Sequence, residues 1–457
     1  MYIRSVTLKN VKLFREQKFD FLRGHEPRMW TVVLGENGTC KTTLLQAVAM
    51  AASGPTIAGR LGASGRGDLL RALRTRRASG EARINAEFAF GLGGHQGYPD
   101  ENGIPYRRKY PELPEDRPDH PPILHSQLYQ MARSDEISGI SWYHGKKPRS
   151  SSPGPLVALR AQEDIEPFWF VAAYGVDRNL PQSSGVIERI GVQERVQSLF
   201  GNHSLSATRW ADHFALTENT TLAEAYRETL NAVVLASKDL IPGLTHLDLA
   251  IKDASAQRNP VERQRVRERV AAVEQELPIV WMSQGFQSSL AWIADLVGQI
   301  LQEAQTGVPP KDMEGLVLID EIDLHLHPLW QVGIVQALKT VFEKLQFVVT
   351  THSPLVITGC EADEVIRLDR VDGEVVQVTT PAPPPRMLSG TELYWNYFEL
   401  PRLIPNPVGQ AIYDYERLAR NGARRADEQA TLERLTETLS ELKQLPEGTV
   451  LPRVEPE

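Results

Sequence analysis

Four short stretches of this sequence hold residue types that handle phosphate and water when brought together. The first is Gly35-Glu36-Asn37-Gly38-Thr39-Cys40-Lys41-Thr42-Thr43. It differs by one residue from the phosphate-binding pattern G-x-x-x-x-G-K-[ST], because Cys40 stands where the second fixed glycine belongs. In such a loop the backbone N–H groups and a helix N-terminus turn toward phosphates. Lys41 then neutralises the β and γ groups, and the Thr42 hydroxyl ligates Mg²⁺. A Cβ at position 40 restricts φ and takes up space, so a cysteine is tolerated there if its φ is negative. That predicts nucleotide binding with slow turnover. A thiol beside Lys41 and a helix N-terminus also allows a redox-sensing reading, the lesser of the two.

The second stretch is Leu316-Val317-Leu318-Ile319-Asp320-Glu321, four apolar residues followed by two carboxylates. A strand ending this way sets Asp320 beside Mg²⁺ and leaves Glu321 to accept a proton from an attacking water. The third is Trp281-Met282-Ser283-Gln284-Gly285-Phe286-Gln287, where Ser283 and Gly285 at a helix start make a second anion-binding end. The fourth is Thr351-His352-Ser353-Pro354, which puts a titratable imidazole behind a buried strand.

Elements of definite kinds must position these groups. Ile3 to Leu13 alternates as a half-buried strand, and Trp30 to Leu34 is a short apolar run that reads as another. Behind the loop, Leu44, Leu45, Ala47, Val48 and Ala51 recur at helical spacing, giving the order strand, loop, helix. Ala82 to Phe90 alternates again, whereas about 91–155 fills with Gly, Pro and charge and is expected to be a long surface insertion. Phe168 to Tyr174 reads as a buried strand. The stretch from about Val186 to Ala304 is expected to be mostly helical, including the charged piece Pro260–Glu276 with its thin stripe of Val266, Val270 and Val273. Leu316–Ile319 and Phe347–Thr351 are continuous apolar runs, suited to a parallel sheet covered on both faces, whose strand ends are where ligands bind. Past PAPPPR, the spacing of Leu432, Leu435, Leu439 and Leu442 predicts a narrow helical seam, packed on its own domain or on a partner.

Composition bounds the class. With 457 residues, 41% hydrophobic and 24% charged, the chain is an ordinary globular one, long enough for two lobes or a domain with insertions. No apolar run reaches the roughly 20 residues of a membrane-spanning helix, and the start lacks a signal-peptide core, so a cytoplasmic location with no membrane contact is expected. Cys40 and Cys360 are the two cysteines, too few for a thiolate zinc site or a disulfide framework. A net charge of −8 offers nucleic acid no general attraction, so any DNA contact must be local. Arg66, Arg71, Arg74, Arg76 and Arg77 form the one basic segment available for it, although a solvated helix face is the plainer reading.

These motifs in this order, with about 280 residues between Lys41 and Asp320, resemble the ABC-type ATPase heads of the RecF, SMC and overcoming-lysogenization-defect group. The likeness covers about 1–90 and 275–380. It implies an α/β fold: a P-loop ABC-type ATPase head with a mixed or parallel sheet and a helical lobe inserted between Walker A and the signature motif. The expected division is 1–175 for a first ATPase lobe, 176–305 for the helical lobe, 306–380 for a second ATPase lobe and 381–457 for a helical tail. By that resemblance Gly35, Asn37, Gly38, Thr39, Cys40, Lys41, Thr42 and Thr43 form the Walker A loop, and Ser283, Gly285 and Gln287 belong to the signature. Asp320 and Glu321 are Walker B, with Glu321 the catalytic base, Thr42 and Asp320 the Mg²⁺ ligands, and His352 the switch histidine.

The run Asp320-Glu321-Ile322-Asp323-Leu324-His325-Leu326-His327-Pro328 is similar to that of stand-alone AAA-type ATPases of Septu-like or PARIS-like antiphage systems, and this likeness accounts for His325 and His327 without a metal. Tyr174-Gly175-Val176-Asp177-Arg178 is similar to a Tyr-Gly-x-x-Arg segment of the same ATPases, which suggests nucleotide or partner contact for Arg178. The resemblance implies two heads enclosing two ATP molecules, each held by one head's loop and the other's Ser283 and Gly285. A separately encoded nuclease or toxin is the expected effector. The Q-loop glutamine stays open among Gln96, Gln127 and Gln182. Two other functions remain in view: a DNA repair ATPase resembling RecF, and a nucleotide-binding scaffold with negligible hydrolysis.

Overall fold

The computed structural model describes residues 1–64, 81–89, 123–130, 137–143, 156, 170–181, 186–188, 190–201, 204–217, 219–237, 240–241, 244–248, 265–270, 273–379, 383–398, 408–420 and 426–441. The chain opens with β1 (Tyr2–Val11) and β2 (Phe14–Asp20), a small ribbon of β3 (Leu22–Arg23) and β4 (Glu26–Pro27), then β5 (Trp30–Leu34), α1 (Lys41–Ser53) and α2 (Pro55–Ser64). Next come β6 (Ala82–Ala89), β7 (Ile123–Gln130), β8 (Ile137–Tyr143) and β9 (Val171–Tyr174). The inserted lobe holds α3 (Val192–Gln197), α4 (Arg209–Leu216), α5 (Thr220–Leu235), β10 (Leu244–Asp248), β11 (Arg265–Val270), β12 (Val273–Pro278) and the long α6 (Gln284–Ala304). Then follow β13 (Gly315–Ile319), α7 (Pro328–Val341), β14 (Leu345–Thr350), β15 (Val365–Val371), β16 (Glu374–Val378), α8 (Gly390–Phe398), α9 (Val408–Arg420) and α10 (Ala426–Glu441).

The strands make a mixed sheet in the order β16-β15-β5-β14-β13-β9, all parallel except β16, and an antiparallel sheet in the order β2-β1-β6-β7-β8. The fold is therefore α/β. Alternation along the mixed sheet explains its continuous apolar runs. Trp30, Val32, Leu34, Val317, Ile319, Phe347 and Val349 face one core, shared with α6 and the inserted lobe. Val33, Leu316, Leu318 and Val348 face a second core, shared with α1 and the antiparallel sheet. A strand covered on both faces has no polar side. The Gln346 side chain, fully buried, joins the two sheets: it donates to the carbonyls of Ile3 (3.0 Å) and Arg28 (2.9 Å) and accepts from the Ile3 N–H (2.6 Å).

Two sequence expectations are corrected. Pro260–Glu276 is not helical where it is described: β11 and β12 pair antiparallel, Arg267 opposite Glu276, and with β10 they form a three-stranded sheet. The Arg-Val-Arg-Glu-Arg-Val run has period two as well as a thin helical stripe, and Val266 reaches the core. Within 91–155, β7 and β8 extend the antiparallel sheet, with Leu124 and Leu128 buried beneath it, so this region is partly sheet and not wholly surface insertion. Its Gly- and Pro-rich remainder lies outside the described residues, as does the arginine segment at 66–77. Leu432 and Leu439 of α10 are buried against Tyr415 and Leu418 of α9, which favours the packed-helix alternative for the leucine seam; Leu442 lies outside the described residues. Leu393 and Tyr397 of α8 pack into the first core, so the segment after the proline run is joined to the body. Among the described residues no helix is long and apolar enough to cross a membrane.

Candidate functional site

The phosphate loop leaves β5 at Leu34 and enters α1 at Lys41. Gly35 has no room for a side chain, since a Cβ there would meet the Thr39 hydroxyl and the Leu368 carbonyl, and Gly38 has φ of 84°. The Thr39 hydroxyl donates to the Glu36 carbonyl at 2.8 Å and closes the turn. Lys41 folds back into the loop, its Nζ donating to the carbonyls of Gly35 (2.7 Å) and Glu36 (3.0 Å). Burial lowers its pKa from the ordinary lysine value, while Asp320, Glu321 and Asp323 pull it back up. Asn37 is exposed and Thr43 is buried in the first turn of α1.

Cys40 departs from expectation. Its φ is 61° and its ψ 28°, the left-handed region, and not the negative φ that would make a cysteine comfortable there. A non-glycine side chain in the left-handed region costs about 1–2 kcal/mol. The thiol gives α1 no side-chain cap, reaching only the Gly38 carbonyl at 3.9 Å.

Across from the loop, β13 delivers Asp320, which is buried, and Glu321, which is half-buried. The Thr42 hydroxyl donates to Asp320 Oδ2 at 2.7 Å, and the Thr350 hydroxyl, at the end of neighbouring β14, donates to Asp320 Oδ1 at 2.6 Å. Thr350 Oγ1 in turn accepts from the Glu321 N–H at 2.8 Å. A polar chain thus runs Thr42–Asp320–Thr350–Glu321. Glu321 itself has φ of 48°. Next along, the Thr351 hydroxyl donates to Asp323 at 2.5 Å, and the Ser353 hydroxyl donates to Gln331 of α7 at 2.6 Å. Sequence reading missed Thr350. Its only signal was a hydroxyl ending an apolar strand, which becomes informative once β14 is known to lie beside β13.

Ser283 caps α6, its Oγ accepting from the Phe286 N–H at 3.4 Å, and is exposed. Gly285 is buried because the His325 carbonyl occupies the place of a Cβ, so the start of α6 lies against the loop that follows the acids. Gln287 turns back on its own turn, donating to the carbonyls of Val280 (3.1 Å) and Met282 (2.7 Å). His352 is exposed beside Thr351. The structure therefore gathers Lys41, Thr42, Asp320 and Glu321, and leaves Ser283 hydrogen-bonded to its own helix. Among the glutamines considered for the Q-loop, Gln127 donates to Asn85 of β6 at 2.6 Å, within the antiparallel sheet; Gln96 and Gln182 lie outside the described residues. The described residues hold no group of three or more His, Cys, Asp or Glu able to hold a metal. The hydroxyl and carboxylate oxygens of Thr42 and Asp320 are nonetheless the hard donors Mg²⁺ prefers.

A strand–loop–helix with a buried lysine, a strand two places along the same sheet ending in paired acids, and a serine-capped helix make an arrangement similar to that of an ABC-type ATPase head. Residues 197–358 match a family model described as "AAA domain, putative AbiEii toxin, Type IV TA system", and residues 5–95 match one described as "AAA domain". Among curated proteins, the chain is 40% identical over 138 residues to Retron Ec83 probable ATPase of Escherichia coli, covering 30% of this chain and 23% of that one. It is 39% identical over 97 residues to Retron Vc95 probable ATPase of Vibrio cholerae, covering 21% of this chain and 19% of that one. It is 38% identical over 95 residues to Septu protein PtuA of Bacillus thuringiensis, covering 20% of this chain and 24% of that one. The matched stretches span a quarter or less of these relatives. The likeness is thus to two retron probable ATPases and a Septu protein. Among solved structures, an SMC head bound to the C-winged helix domain of ScpA is 16% identical with a TM-score of 0.47, covering 83% of this chain and 98% of that one.

Proposed function

We propose that this chain binds ATP with Mg²⁺ and hydrolyses it at a site completed by a second copy, as the ATP-gated sensor or scaffold subunit of an antiphage defence complex with a separate nuclease or toxin effector. The observation that carries the reading is the polar chain Thr42–Asp320–Thr350–Glu321, which couples the phosphate loop to the proposed base through hydrogen bonds of 2.6 to 2.8 Å. Lys41 exchanges its loop carbonyls for the β- and γ-phosphates. Thr42 and Asp320 would hold Mg²⁺, which supplies neutralising charge for the triphosphate. Glu321 takes the proton from a water as its oxygen bonds to the γ-phosphorus and the bond to the bridging oxygen breaks, releasing ADP and phosphate. Ser283 and Gly285 of the second copy supply donors to the same γ-phosphate, and His352 lends a further hydrogen bond at the sheet edge. The effector part of the reading draws support from the likeness to Septu protein PtuA and the retron ATPases, and a cytoplasmic location fits it.

Single-turnover hydrolysis and sedimentation, with and without Glu321→Gln, test the reading. The variant is expected to bind Mg-ATP, to lose hydrolysis by about 100-fold or more, and to accumulate as an ATP-dependent dimer. Hydrolysis equal in both chains would reject Glu321 as base. A wild-type chain that binds ATP without turning it over would instead favour the scaffold reading, which the left-handed Cys40 makes the leading alternative.

A further inference from the structure

We propose that Arg178 is a positioning residue for Glu321, holding the turn that presents the base at the end of β13. The proposal rests on the hydrolytic reading above and adds a residue to it. β9 and β13 run parallel with Tyr174 opposite Ile319, so the segment leaving β9 emerges at the same sheet edge as the paired acids. Arg178, four residues past Tyr174, is 2% exposed, and its Nη2 donates to the main-chain carbonyl of Glu321 at 2.6 Å. That carbonyl also accepts from the Leu324 N–H at 3.0 Å, closing the turn in which Glu321 sits at φ of 48°. A glutamate in the left-handed region is strained and persists only where its surroundings hold it. Two side chains hold this one: Thr350 grips its N–H and Arg178 its C=O.

A buried arginine serving only to balance charge would be paired through its fork to a carboxylate. Arg178 is not. Its Nε and Nη1 are buried with no hydrogen-bond acceptor, although Asp320, Asp323 and Glu321 are near enough to offset part of the burial that lowers its pKa to about 10. Leaving such donors unsatisfied is costly. Among the described residues, the one directed bond of the guanidinium goes to the backbone of the residue whose carboxylate must be aimed. Charge balance would not select that atom; control of the turn does.

The test compares wild type with Arg178→Met, close in volume and without donors, and Arg178→Lys, which keeps a charge and a donor. Thermal melting establishes that each is folded. Amide exchange across 321–324 in nucleotide-free protein reads the turn without reference to hydrolysis, and Arg178→Met is expected to speed it by about tenfold or more. Its turnover is expected to fall about 10- to 100-fold, with the Mg-ATP dissociation constant changed less than about threefold. Arg178→Lys should recover part of both exchange protection and turnover. A folded Arg178→Met with wild-type exchange and turnover would overturn the proposal. So would a loss of ATP affinity as large as the loss of turnover, which would make Arg178 a ligand contact. Should the wild-type chain itself not hydrolyse ATP, the hydrolytic reading fails, and exchange still decides whether Arg178 holds the turn.

Discussion

Asp320 takes hydrogen bonds from both Thr42 and Thr350 at the buried edge of the mixed sheet, whereas Ser283, at the start of α6, is exposed and answers only to Phe286 of its own turn. Beside Ser283, Trp281 is 72% exposed and Gln287 is folded onto its own carbonyls. One half of the proposed nucleotide site is thus wired internally, with a lysine already desolvated among acids. The other half carries donors that the chain leaves to solvent. On the proposed reading, the wired half is completed by the bare half of a second copy of this chain.

The largest effect should come from breaking the two halves separately. Lys41→Ala is expected to abolish Mg-ATP binding and to lower hydrolysis by at least about 100-fold. On the proposed two-copy site, Ser283→Ala should lower hydrolysis about tenfold or more while leaving ATP affinity of the single chain within about threefold. Mixing the two variants rebuilds one intact site in each mixed pair, so roughly a quarter of wild-type activity should return. No recovery on mixing would place loop and serine in the same chain's site.

Within the wired half, Cys40 offers a smaller effect. Cys40→Gly removes a side chain from a left-handed position and should raise unfolding stability by about 1 kcal/mol, measured in denaturant, with turnover rising severalfold. Unchanged turnover would separate the backbone conformation from the chemistry.

The smallest effect concerns the body of α6 behind the bare turn. Asp295 accepts from Ala207 N (3.1 Å), Trp210 Nε1 (3.4 Å) and the Tyr174 hydroxyl (3.3 Å), yet burial outweighs these bonds and raises its pKa. A carboxyl with a raised folded pKa binds its proton more tightly native than unfolded. Its charge therefore weakens the fold at neutral pH, and acid below the folded pKa relieves it. Asp295→Asn should melt about 2 to 4 °C above wild type at pH 7, with the gap closing as pH falls toward the carboxylate range. A gap that widens in acid would reverse the sign.

The wired half was the legible half. Gly35, Lys41, Thr42, Asp320 and Glu321 are fixed by local grammar, a strand followed by a loop or by acids, and the structure places them together. Thr350 and the Arg178 bond were not legible as such, because each depends on which strands are neighbours: β14 and β9 flank β13, a fact of pairing that no local window contains. The charged Arg265–Val270 segment misled for another reason. Valines spaced by four satisfy a helical stripe and one face of a strand alike, and only pairing with Val273–Pro278 decides between them. Cys40's left-handed φ was likewise not legible, because a cysteine rarely adopts it.

β5, the strand from which the phosphate loop springs, lies between β14 and β15, so both of its hydrogen-bonded neighbours come from residues 345–371. On the ribosome, residues 30–34 must wait for some three hundred more before either edge can be paired. During that interval an apolar strand stays unsheltered, an invitation to premature association. The strand that carries the phosphate loop is accordingly unsheltered until residues 345–371 have been made.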